Sequence, residues 1–300
     1  MEISIALNAG NSVGESPFWS EREKALYWVD IINKTANRLI LESNERTSWD
    51  FDDFVCGVIP MTNGKVCVAL QQDILELDQD TGDFKKLFEM EPELPKNRIN
   101  EVKCDRNGHL WVGTMQNNVA PDGAGMDITE NSGSLYLVKN KNSIDKMVSG
   151  FGISNTLVWD EPNKNFYIAD SMKDMMWKYD YNPETCEIGN PQDFFYKEST
   201  LGAPDGSAMD TEGCVWNARF GAGCVVRIGR DGKILQKIDL PVTNPTSCCF
   251  GGENNSTLFV TSAQFTLTDE QLANNPLEGS VIAIETNVQG TKTYSWNITE

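Results

Sequence analysis

GAPDGSAMDTEGCVWNARFGAGCVVRIGRDGKILQKI, residues 202–238, divides into four short apolar runs separated by Gly, Asp and Thr-Glu-Gly turns. Gly206–Met209, Cys214–Ala218, Cys224–Ile228 and Lys233–Ile238 each suit one strand and are too short for a useful helix. Four antiparallel strands in about 40 residues form the unit that a β-propeller repeats, one blade at a time.

The rest of the chain repeats it. Asp205 heads the first run and lies eight positions before the turn glycine Gly213. The same interval joins Asn100 to Gly108, Asn244 to Gly252 and Cys56 to Gly64, and in polar turns Asn155 to Asn163 and Glu15 to Glu23. An apolar strand follows every turn. Heads at 15, 56, 100, 155, 205 and 244 recur about every 46 residues, an ordinary length for four-stranded blades. The expectation is an all-β, six-bladed propeller of four antiparallel strands per blade, one domain over residues 1–300.

Third strands are expected at Asn37–Leu41, Ile74–Leu77, Ser134–Val138, Met176–Tyr179, Val225–Ile228 and Ser280–Ile284. Glu2–Leu7 precedes the first head and is placed to pair with the last blade, closing the ring and removing its free edge. Met115–Ser132 is longer than a hairpin needs and reads as a lid or rim. Asp269–Ala273 reads as one helical turn.

Composition narrows the partners. A formal net charge of −19 argues against nucleic acid and against an anionic membrane surface. No apolar run approaches the roughly 18 residues of a membrane span, and the N-terminus lacks a secretory pattern. The eight cysteines include no C-x-x-C and mostly sit in apolar runs, so a zinc cage has no support; reduced, buried thiols in a cytoplasmic protein are expected. The single histidine, His109, argues against histidine-based catalysis and against a multi-His metal site.

The first strand of each propeller blade lines the central channel, so the heads meet at one mouth. Five of the six (Glu15, Asn100, Asn155, Asp205, Asn244) carry a side-chain oxygen, and Cys56 reads as apolar lining. Singly, Asn and Asp suit such junctions because they bond their own backbone, and Asn244 reads as only a turn cap. Together, dry and unpaired oxygens would be costly, and a divalent cation relieves that cost. Glu15, Asn155 and Asp205 lie on blades one, four and five and surround the pore. Three oxygens leave positions open for water or substrate. The set leans towards calcium, magnesium or manganese and does not exclude zinc or ferrous iron.

ESPFW followed by LYWVD (15–30) resembles the opening signature of the regucalcin-like SMP-30/gluconolactonase/luciferin-regenerating-enzyme family. NRIN (97–100) with LWVGTM (110–115), PDG (204–206), TNPTS (243–247), FGG (250–252) and LFVTSA (258–263) resemble its later blade motifs, in order along nearly the whole chain. The resemblance implies a six-bladed propeller holding one divalent metal and hydrolysing sugar-acid lactones. It places the metal ligands on Glu15, Asn155 and Asp205, and substrate contacts on Arg98 and Asn100.

Three positions depart from the family pattern. Asn100-Glu101-Val102 stands for Asn-Asp-Gly, Asn155-Thr156-Leu157 for Asn-Gly-Leu, and Asn117-Asn118 where some members carry a carboxylate. Asp205 is the expected general base, with Glu101 in reserve. The expected partner is a small-molecule lactone, and the expected assembly a monomer or dimer. Two other functions fit the same pattern: phosphotriester hydrolysis, since carbonyl and phosphoryl oxygens are both hard Lewis bases, and a non-enzymatic metal-binding or interaction propeller.

Overall fold

A computed structural model describes residues 1–196 and 201–298. Six four-stranded antiparallel sheets are arranged as a six-bladed β-propeller. The inner strands are Gly14–Ser20, Val55–Pro60, Asn97–Cys104, Ser154–Asp160, Ala203–Met209 and Pro245–Gly251, in blades one to six. The stretch quoted above is blade five: Ala203–Met209, Val215–Phe220, Cys224–Ile228 and Ile234–Asp239 follow one another across the sheet. All six expected third strands are present within a residue or two of their expected bounds.

Ile3–Leu7 pairs antiparallel with Val281–Glu285 and forms the outer strand of blade six. The first and last segments are thus joined in one sheet. That pairing closes the ring, the start of the chain supplying the fourth strand of the last blade.

Inner and second strands are buried almost throughout, which explains why their apolar content is nearly continuous rather than alternating. Large aromatic side chains fill the wedges between blades. Trp216 of blade five meets Phe250 of blade six edge-on, at 5.7 Å between ring centres, and Trp111 of blade three packs on Trp159 and Phe166 of blade four. Trp111 and Trp216 are fully buried at matching places on second strands, and Trp28 is fully buried two residues further along that of blade one. All eight cysteines are free and buried, as expected.

The one α-helix among the described residues, Asp269–Asn274, is closed at its start by a reciprocal pair: Thr268 Oγ1 accepts from Gln271 N, and Gln271 Oε1 accepts from Thr268 N. Among the described residues no helix is long and apolar enough to cross a membrane.

Candidate metal and substrate site at the channel mouth

Every inner strand carries one extra residue near its start, so the ladder with the second strand slips there. Bulges of this kind re-aim side chains. The slips fall at Ser16–Pro17, Cys56, Asn100, Thr156–Leu157, Asp205–Gly206 and Thr246. Five of the expected heads therefore lie at or beside the slip. In blade six the matching residue is Thr246, not Asn244. Asn244 instead donates to the carbonyl of Phe265, 2.9 Å away, and so ties down the loop after the second strand.

Carboxylate forks lead two of these strands into the channel. Asp30 accepts from the backbone N–H groups of Ser12 and Val13, ahead of Glu15. Asp170 accepts in the same way from Gly152 and Ile153, ahead of Asn155. Each fork closes a turn of its own blade and fixes where the following head emerges.

The heads of blades three and four join in a connected polar layer that reaches the residue before Asp205. Arg98 Nη1 donates to Asn100 Oδ1 (2.8 Å), and Asn100 Nδ2 donates to Asn155 Oδ1 (3.2 Å) and to the Ser154 carbonyl (2.9 Å). Asn155 Nδ2 donates to Ser171 Oγ, and Ser171 Oγ donates to the Pro204 carbonyl, next to Asp205. Blades three, four and five are joined through that chain. Arg98 Nη2 reaches Asn118 Oδ1 at 3.1 Å, while its Nε is buried without a partner.

Three carboxylates lie near enough here for charge to pass between them. Burial, then the charge of Asp205, then that of Glu101 push Glu15 well above its ordinary range. Asp205 is also pushed well up, by loss of solvation and then by Glu101, against smaller opposing effects of the Gly206 N–H, Arg98 and Arg219. Asp205 stays half-buried as a residue at the mouth, although its carboxyl is closely surrounded by protein. Glu101 is raised by burial and held down in part by Lys103, whose Nζ is 3.5 Å from Oε1. Neither Glu101 oxygen has a hydrogen-bond partner, and the residue is buried.

That arrangement fits a divalent cation. The donors are all oxygen, the Glu101 carboxylate beside them has only the Lys103 ammonium at 3.5 Å as a partner, and repulsion among the acids is the kind of cost that a cation removes. The three carboxylates do not all close to within 4.8 Å of one another; among the described residues only Asp105, His109 and Cys186 form such a compact trio of potential ligands.

Residues 117–132 roof the mouth. Val119 is buried in a cluster with Ile32 of blade one and Phe265 of blade six, across the ring from blade three. A Cβ on Gly125 would lie 3.2 Å from Phe265, which shows how closely the loop crosses. The loop expected as a lid or rim thus crosses from blade three to blades one and six. A cavity of about 360 Å³ lies along the channel. It is lined by the later residues of the inner strands (Phe18, Val102, Val158, Met209, Phe250) and by Thr291–Tyr294, and is mostly apolar. It reaches the acids: Ser16, Lys103 and Ser207 also line it, and Lys103 Nζ is 3.5 Å from Glu101 Oε1.

The departures from the family pattern have local explanations. Thr156 takes a left-handed backbone (φ 57°), a conformation glycine adopts freely, and its hydroxyl is used: Oγ1 donates to the Asp205 carbonyl. Val102 fills space that Gly57 leaves; a Cβ at Gly57 would lie 2.2 Å from Val102 Cγ2. Sequence reasoning missed Lys103, Thr156 as a tether, and Arg219. The last is a fully buried guanidinium donating to the Leu201 and Gly202 carbonyls, to Asn217 and to Asp174. An arginine within the apolar run of Val215–Phe220 was the available signal.

Residues 13–264 match the SMP-30/gluconolactonase/LRE-like family. Regucalcin of Danio rerio is 31% identical over 298 residues, 99% of this chain and 98% of its own. L-arabinolactonase of Azospirillum brasilense is 29% identical, covering 97% and 94%. The solved structure of a luciferin-regenerating enzyme superposes with a TM-score of 0.89 at 29% identity, over 99% of both chains. With the family matched over residues 13–264 and a 31% identical relative covered almost in full, this chain belongs to the SMP-30/gluconolactonase/LRE-like family.

Proposed function

We propose that this protein is a divalent-metal-dependent lactonase that acts, as a single propeller domain, on small sugar-acid lactones. Water adds to the ring carbonyl, the ring C–O bond breaks, and the product is the open hydroxy acid. The observation that carries the reading is the meeting of Glu15, Glu101 and Asp205, from three blades, beside the Arg98–Asn100–Asn155 chain under a lid. Membership of a family described by gluconolactonase, with an L-arabinolactonase among the relatives, supports the same chemistry.

Glu15, Asn155 and Asp205 would hold the cation, and the all-oxygen donor set favours calcium over softer ions. When bound, the cation supplies Lewis-acid polarisation of the substrate carbonyl. Arg98 binds sugar hydroxyls or the nascent carboxylate, and Asn100 orients the ring. Asp205, the least enclosed of the acids, accepts the proton of the attacking water and returns it to the leaving ring oxygen. Glu101 lies behind it; its charge makes Asp205 more basic, and it is the second candidate for that proton. The lid keeps bulk water away from these groups.

The test is an assay of purified protein on glucono-, xylono- and galactonolactones, with and without chelator. Turnover that chelation removes and added metal restores is the expected result. Phosphotriester cleavage without lactone turnover would transfer the site to that chemistry, and inertness of a folded, metal-loaded protein towards both would contradict an enzymatic role.

A further inference from the structure

Away from the channel, Asp105, His109 and Cys186 come together between blades three and four. Asp105 and His109 lie in the turn after the inner strand of blade three; Cys186 lies in the outer turn of blade four, between Met175–Tyr181 and Ile188–Tyr196. His109 Nδ1 is 3.3 Å from Cys186 Sγ and 3.4 Å from Asp105 Oδ2, and Sγ is 3.3 Å from Oδ2. A tetrahedral ion bound at about 2.0–2.3 Å holds its ligands roughly 3.3–3.6 Å apart, so the triangle already has the size of a metal site.

A second observation concerns charge. Blades four and five place an aspartate at the same point, five residues past the head. Asp210 is met by Arg227 (Nε to Oδ2, 2.7 Å) and Asp160 by Arg230 (3.3 Å). Asp210 and Asp105 each also accept from a matching tryptophan, Trp216 and Trp111. In blade five the residue facing Trp216 across the sheet is Arg227; in blade three the residue facing Trp111 is Leu137. Asp105 is thus buried without the guanidinium that its counterparts have, and its Oδ2 faces Trp111, Tyr181, Cys186 and His109 instead. Its Oδ1 accepts from the Asn107 and His109 N–H groups, so hydrogen bonds satisfy the carboxylate, and a bound cation would supply the balancing charge that the arginines give its counterparts.

We propose that Asp105, His109 and Cys186 form a second metal site, for a borderline-soft divalent ion of the zinc class. Carboxylate oxygen, imidazole nitrogen and thiolate sulfur are the ligand types such ions prefer. With the Cys186 proton released to solvent, two negative ligands and a neutral imidazole balance the two positive charges. His109 ligates through Nδ1 and leaves Nε2–H outward. Its side chain is 26% exposed, so an ion can reach the trio past the ring from the surface. The trio is not a nucleophilic triad, because the same ring nitrogen faces both the thiol and the carboxylate and cannot relay a proton between them. Tyr181 and Asn107, which also approach Cys186 Sγ, hold the sulfur in place. The site is separate from the channel acids and stands whether or not the chain is a lactonase.

Cobalt(II) added to metal-stripped, full-length protein tests it. One equivalent should give a thiolate-to-cobalt charge-transfer band, displaced by zinc. Cys186→Ser should abolish that band. His109→Gln, at a partly exposed position that leaves the core intact, should weaken zinc binding by on the order of 100-fold. Glu15→Gln, in the channel, should leave the band unchanged. Absence of the band in the wild-type protein, or its survival in a folded Cys186→Ser variant, would overturn the proposal. Zinc affinity unchanged in His109→Gln would do the same.

Discussion

Thr156 Oγ1 lies 2.6 Å from the carbonyl oxygen of Asp205 and donates to it, so blade four holds the backbone of the residue that blade five contributes to the channel. Asn217 Nδ2 donates to the same carbonyl from 2.8 Å, and Ser207 Oγ lies 3.0 Å from the threonine hydroxyl. Two tethers on one carbonyl fix where the Asp205 carboxyl points.

Thr156 therefore does two opposed things, and substitutions separate them. Its left-handed backbone costs about 1–3 kcal/mol in a non-glycine residue. Its hydrogen bond returns about 0.5–1.5 kcal/mol. Thr156→Gly removes both, and denaturant unfolding should show a change within about 1 kcal/mol, whereas Thr156→Val keeps the strain, loses the bond and should cost about 1–3 kcal/mol. Both variants should bind the channel cation more weakly. Unaltered cation affinity in Thr156→Gly would show that the tether does not position Asp205.

Glu101→Gln removes a charge that raises both Asp205 and Glu15. Without it Asp205 gives up its proton more readily and becomes a weaker base. The acidic limb of kcat/KM against pH should move to lower pH, and the plateau rate should fall. A limb that stays in place would mean that Glu101 does not tune Asp205.

Stability of the metal-free protein should respond to pH through the same acids. Glu15 and Asp205 hold their protons more tightly folded than unfolded. Their protonated forms are therefore favoured by folding, and that contribution is complete below the ordinary carboxylate range near pH 4. It is lost as pH rises through the raised folded values. The melting temperature of chelated protein should fall over that rise, less steeply in Glu15→Gln, and the stabilisation given by added calcium should grow with pH as protons cease to compete. A Glu15→Gln variant with the same pH slope as the wild type would refute the linkage.

Arg219 underpins the approach to Asp205 from beneath. Its guanidinium serves the carbonyls of Leu201 and Gly202 and the side chains of Asn217 and Asp174 with no exposure to solvent. Arg219→Ala strands these acceptors and should cost about 3–5 kcal/mol in equilibrium unfolding. Arg219→Lys should recover only part, because an ammonium lacks the planar fork that meets several acceptors at once. Full recovery by lysine would reduce the role to charge alone.

The ring of heads was legible because each blade repeats one turn at one offset, and the bulge that re-aims each head lies where the count put it. Blade six departs because its glycine opens the turn instead of ending it. Gly252 (φ 73°) directly follows Pro245–Gly251, and Asn254 and Asn255 complete the reversal in left-handed conformations. Counting eight back from Gly252 therefore reaches Asn244, two residues short of Thr246. Contacts between blades were not legible. Arg219 bonds to Asp174 of the neighbouring blade, and Cys186 reaches Asp105 across 81 residues of sequence. No repeat within a blade reports such pairs.

Calorimetric titration of calcium into metal-stripped wild-type and Glu15→Gln protein tests the central assignment most directly. One equivalent should bind the wild type, with the affinity lost or reduced by on the order of 100-fold once a ligand is neutralised. Equal stoichiometry and affinity in the two proteins would show that Glu15 holds no ion at the mouth, and the account of the site built on it would be wrong.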